Sequence, residues 1–162
     1  MSVSIKSEKE LARMREAGKI LSEVHDCLAD IIVPGITTKE LDRRAFEIIH
    51  AHGCTPSFLN YNGFPASICA SVNEEVIHGI PDKKRVLKEG DIISIDAGVI
   101  YEGYHSDAAR THAVGQISPE AARLIEVTKQ SFFEGIKDAR AARHQFEVKA
   151  AIEDYDVPNG DR

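Results

Sequence analysis

The stretch DIISIDAGVIYEGYHSDAARTHAVG, Asp91 to Gly115, constrains this chain more than any other part of it. Two runs rich in β-branched and aromatic residues flank Glu102-Gly103, the pattern of a short hairpin. With those two residues as the loop, Tyr101 opposes Tyr104, and counting outward puts Asp96 opposite Ala109. Side chains two apart on a strand share a face, so Asp96 and Asp107 become diagonal neighbours, roughly 7–8 Å apart at the backbone. A bulge would shift the parity and separate them. Asp96 lies among apolar neighbours in IISIDAGVI, where an unpaired carboxylate is costly to bury. A shared divalent ion, with oxygen ligands at ~2.0–2.2 Å, offsets that cost. The alternatives are an exposed aspartate on a solvated strand or an aspartate paired with Arg110. Two carboxylates alone do not complete a metal site.

The rest of the chain sets the hairpin between helices. Ser7 to Glu10 and Thr37 to Glu40 are both capping-box signatures. The first predicts a helix from Ser7 to about Ile32, stopped by Pro34-Gly35. The second predicts a helix ending near Gly53. Ser67–Val72, Glu75–Ile77, Asp91–Ile100 and Tyr104–Val114 read as strands. Ser118-Pro119-Glu120 opens another helix, Gln145–Tyr155 reads as a further one, and the closing VPNGDR reads as a turn-like end that frays. Strands grouped between helices predict an α+β fold with an antiparallel sheet. No linker or repeat breaks the chain, so residues 1–162 are expected to form one domain.

Seven histidines are present. His25, His50, His52 and His144 fall on or near helices and read as solvated or structurally satisfied. His105 shares the parity of Asp107 and could approach a metal, whereas His112 has the opposite parity and faces away. His78, in NEEVIHGIP, stands at a junction suited to projecting into a cleft. Phe58, Tyr61 and Phe64 cluster near Cys69, either as core packing or as a small apolar pocket. Cys27, Cys54 and Cys69 are an odd count with no CxxC spacing, which argues for reduced thiols.

The strings VPGITTKELD, SVNEEVIHGIP, GDIISIDAGVIYEGYHSDAARTHAVG and Phe132-Phe133-Glu134-Gly135 together resemble the type I methionine aminopeptidases of the pita-bread metallopeptidase family. The resemblance covers nearly all of residues 1–140. It implies metal-dependent removal of the initiator methionine from new polypeptides, with Asp96 and Asp107 as metal ligands. It implies a substrate-contacting role for His78 in stabilising the reacting amide, and a methionine pocket lined by Phe58, Tyr61, Phe64 and Cys69. A small apolar pocket suits a thioether. The implied cofactor is a divalent ion, manganese, iron, cobalt or zinc.

The family's remaining ligands are a histidine in a G-H-G-type string and two glutamates later in the chain. None of those strings occurs here. Ala142 stands where such proteins place a turn glycine. The chain therefore reads as roughly the N-terminal half of the fold, its antiparallel sheet covered by helices on one side. Metal binding is expected to be weak or absent, and activity little or none. A non-catalytic peptide- or partner-binding module is the alternative reading. An apolar sheet face left uncovered would favour self-association.

Composition narrows the partners. Twenty basic against 26 acidic residues give 20 − 26 = −6, which disfavours nucleic acid. No apolar run reaches membrane-span length, and the charged N-terminus lacks a signal-peptide core, so a cytoplasmic location is expected.

Overall fold

A computed structural model of the chain describes residues 4–137, 139–140 and 144–159. They fall into two compact units, the first ending at Gln116 and the second beginning at Ile117. Ala142 and residues 160–162 lie outside the described residues.

The first unit opens with α1 (Glu8–Ala29) and α2 (Thr38–Ala51). Both begin at the capping boxes. The Ser7 and Thr37 side chains accept the backbone N–H of Glu10 and Glu40, whose carboxylates bond back to the cap residues. Helix α1 ends at Ala29, three residues short of the expected Ile32, and Gly35 turns the chain with φ of 98°. Short β1 (Thr55–Pro56), which the sequence does not announce, is followed by β2 (Ile68–Val72), β3 (Ile92–Tyr101) and β4 (Tyr104–Ala113). All pairings are antiparallel and converge on β3. Strand β4 runs along one edge, and β1 and β2 share the other.

The expected strand at Glu75–Ile77 is instead loop. Asn73 starts a turn with φ of 55°, and its side chain and backbone bond to Asp91 and Ile92. Those local bonds draw the chain off the sheet before Glu75 can pair. The apolar side chains of Val76 and Ile77 are left exposed.

Alternation along the strands sorts the sheet into two faces. Ile93, Ile95, Ala97 and Val99 are buried against the helices with Leu21, Val24, Leu28, Leu41, Ala45 and Ile49. The opposite face carries Ser94, Asp96 and Gly98 of β3, His105, Asp107, Ala109 and Thr111 of β4, and Cys69 and Ser71 of β2. Its centre is small and polar, with Ile92 and Ile100 of β3 on the same face at its two ends.

The second unit contains α3 (Pro119–Lys137) and α4 (Gln145–Asn159). The Ser118 hydroxyl accepts the Ala121 N–H at the start of α3, as expected for a Ser-Pro helix start. Gly135 admits Ile152 so closely that a Cβ there would lie 2.5 Å from its Cγ1. Helix α4 continues to Asn159, past the expected end at Tyr155, so the start of VPNGDR is helical rather than turn-like.

Candidate metal and substrate site

The hairpin register is the expected one. Tyr101 pairs with Tyr104, Asp96 with Ala109 and Gly98 with Asp107, without a bulge. Asp96 and Asp107 are therefore diagonal neighbours on the polar face. On the other edge, Cys69 is the register partner of Asp96, so Ala109, Asp96 and Cys69 form one row across the sheet.

The two carboxylates differ in environment. Asp107 is exposed, whereas Asp96 is partly sunk and its Oδ1 is buried with no hydrogen-bond partner. Burial, then the charge of Asp107 and a hydrogen bond with it, push the Asp96 carboxyl up to about 6 from 3.8, against a smaller opposing effect of the His78 imidazole. A carboxylate oxygen without a partner, beside a second carboxylate, is chemistry a hard divalent cation would satisfy. Among the described residues no group of three or more His, Cys, Asp or Glu side chains gathers to hold a metal. Cys69 does not add a ready thiolate. Burial and the two aspartates raise its thiol to about 11.

Beside the aspartates lies a cavity of about 620 Å³ lined by Phe58, Tyr61, Phe64 and Cys69, with His78, Asp96 and Asp107 at its polar side. Of the residues singled out for substrate or metal contact, all but His105 border this one space. The Phe58 wall depends on Gly98. A Cβ there would sit 2.7 Å from Ser57 Cβ and 3.2 Å from the Phe58 ring, so the chain after β1 lies flat on the sheet. The Ser57 N–H donates to the Gly98 carbonyl at 2.9 Å and seals that contact.

Other histidines are held elsewhere. His105 shares the polar face, but its Nδ1 bonds the Ser57 hydroxyl at 3.1 Å, and it does not line the cavity. His112 faces the helices as its parity implied, close to His25. His25 is fully buried, its Nε2–H donating to the Ala108 carbonyl at 2.9 Å, so it is half satisfied: its Nδ1 has no partner. The three cysteines are free thiols.

Sequence reasoning missed Asp42. This carboxylate is 5% exposed, accepts the backbone N–H groups of Ser67 (2.7 Å) and Ile68 (3.4 Å), and pairs with Lys39 at 2.6 Å. It anchors the start of β2 and so places Cys69. The signal available was its position in LDRRAF, on a buried helical face that includes Leu41 and Ala45.

Residues 12–160 match the family model of metallopeptidase family M24. A methionine aminopeptidase of Clostridium acetobutylicum is 52% identical over 153 residues, which cover 94% of this chain and 61% of that protein. Another, from Clostridium perfringens, is 51% identical over 158 residues, 98% of this chain and 63% of its own length. The solved structure of methionine aminopeptidase from Thermotoga maritima matches with a TM-score of 0.95 at 34% identity, covering 98% of this chain and 64% of that one. The chain thus spans less than two thirds of the length of these relatives. The shared architecture is the α+β pita-bread fold.

Proposed function

The chain belongs to metallopeptidase family M24, and on that premise we propose that it carries the methionine pocket and two metal-binding carboxylates of an aminopeptidase that removes the N-terminal methionine from new polypeptides. The observation that carries the reading is the juxtaposition of Asp96 and Asp107, diagonal across the hairpin, with an apolar cavity of about 620 Å³. In this reading Asp96 and Asp107 hold a divalent ion; manganese, iron, cobalt and zinc all suit such donors. When bound, that ion supplies Lewis-acid polarisation of the scissile carbonyl. Phe58, Tyr61, Phe64 and Cys69 enclose the methionine side chain and shed its water. His78 donates or accepts a hydrogen bond at the reacting amide. A new polypeptide as substrate is consistent with a reaction in the cytoplasm.

Turnover by this chain alone is expected to be low, since two carboxylates neither fix a metal's geometry nor supply a separate base. That shortage among the described residues also favours a second reading, a module that binds methionine-initiated peptides without cleaving them. The test is hydrolysis of a short methionine-initiated peptide with added manganese or cobalt, beside an Asp107→Asn control prepared identically. Cleavage lost in the variant assigns the ligand role. Binding of the peptide without cleavage by either protein supports the second reading, and absence of both sinks the proposal.

A further inference from the structure

His78 is the one candidate substrate-contacting group whose backbone sits in the left-handed region, with φ of 59°. A residue with a Cβ adopts that conformation at a cost, and keeps it only where its surroundings hold it there. Its own side chain is exposed, and Val76 and Ile77 before it are exposed as well. The restraint must come from the C-terminal side of His78.

Gly79 supplies the contact. It is pressed onto β2 so tightly that a Cβ would overlap the Ala70 carbonyl oxygen and lie 2.9 Å from Ser71 Cα. Two hydrogen bonds fasten it. The Ala70 N–H donates to the Gly79 carbonyl at 2.8 Å, and the Gly79 N–H donates to the Ser71 hydroxyl at 3.0 Å. Ser71 is itself only 4% exposed. It lies on the polar face of β2, two residues beyond Cys69, which lines the cavity.

We propose that Ser71 is a positioning residue: its hydroxyl, by holding the Gly79 N–H, clamps the strained His78 backbone and aims the imidazole into the cavity beside Asp96. This rests on the reading of His78 as a substrate-contacting group. Ser71 itself is not among the residues that line the cavity. The clamp also gives the H-G pair in NEEVIHGIP a physical reason, because any larger residue after His78 would collide with the β2 backbone. The beginning of the same loop is tied independently, through Glu75 accepting the Val72 N–H at 2.8 Å and Asn73 bonding to Asp91, so losing the Ser71 bond leaves Gly79 on its Ala70 bond and loosens only the His78 end.

The test is nuclear magnetic resonance on the whole chain without metal, comparing wild type, Ser71→Ala and Gly79→Ala. Ser71→Ala should speed exchange of the Gly79 amide roughly tenfold, the scale of one net hydrogen bond. It should shift the His78 ring signals and leave the Ile93 and Val99 amides unchanged. Gly79→Ala attacks the same clamp by steric overlap and should move the His78 signals as well, which keeps the proposal testable if one variant folds poorly. Unmoved His78 signals in a folded Ser71→Ala variant overturn it, and so do unmoved signals in Gly79→Ala should Ser71→Ala fold poorly. So do changes spread evenly into the β3 amides, since those report a merely structural serine. Titration with L-methioninamide separates the two levels of the argument. Binding by wild type that weakens severalfold in Ser71→Ala supports clamp and function together. No binding by wild type, with the His78 signals still responding to Ser71→Ala, overturns the function reading and supports the clamp.

Discussion

The two faces of the β2–β3–β4 sheet are made from alternate residues of the same strands, yet they solve opposite problems. On the helix side Ile93, Ile95, Ala97 and Val99 are fully buried, and that face stabilises the fold. On the other side Asp96 keeps a buried oxygen without a partner and a carboxyl raised to about 6. The contrast is sharpest between two aspartates. Asp42, on α2, is more buried than Asp96, but two backbone N–H groups and a lysine satisfy it. Asp96 has instead a second carboxylate, Asp107, as its neighbour. An unsatisfied carboxylate is stability forgone, and it is found where a ligand can complete it.

The largest expected effect tests the stabilising face. Ile95→Ala removes a fully buried side chain from the centre of β3 and should cost about 2–5 kcal/mol in chemical denaturation. An effect near zero would break the contrast at its root. Next comes the satisfied aspartate. Asp42→Asn replaces a charged acceptor of the Ser67 and Ile68 N–H groups and should cost about 1–3 kcal/mol, again by denaturation.

Asp96→Asn should do the reverse. The raised carboxyl means the fold binds the Asp96 proton more tightly than the unfolded chain does. Its stabilising contribution is therefore full below pH 3.8 and is lost as pH rises through about 6. With a chelator present at neutral pH, Asp96→Asn should gain about 1 kcal/mol, a figure reduced for the solvent reaching this half-open site. A loss of stability instead would show that Asp96 is satisfied after all.

The helix side has the opposite pH dependence. Burial holds the imidazoles of His25 and His112 below the ordinary 6.5. Each is held neutral in the fold, so their contribution is full above pH 6.5 and is lost as pH falls below it. His25→Gln, which retains a donor for the Ala108 carbonyl, should flatten the acid limb of a thermal melting series. The smallest effect belongs to the rim. Arg110 pairs with Asp26 at 2.7 Å with both side chains well exposed, so Arg110→Ala should change stability by less than about 1 kcal/mol.

Local rules sufficed for much of this molecule. Capping boxes at Ser7 and Thr37, the Ser118-Pro119 start and the Glu102-Gly103 turn act through bonds between residues a few positions apart. Strand parity then followed from the turn, which is why the diagonal placement of Asp96 and Asp107 was legible in the amino-acid order itself. The cavity residues were legible only through resemblance, because aromatic spacing alone does not distinguish a pocket from a core. The rest depended on contacts between distant segments. Asp42 reaches Ser67 across 25 positions, His25 reaches Ala108 across 83, and the Asn73 turn that makes Glu75–Ile77 a loop is sealed by Asp91. Ser71 shows the division within a single residue. Its place in β2 was written in the run Ser67–Val72, but that its hydroxyl meets the Gly79 N–H was decided by how the intervening loop folds back. A sequence specifies periods and turns because those are short-range, whereas which buried polar groups find partners depends on the packing of the whole fold.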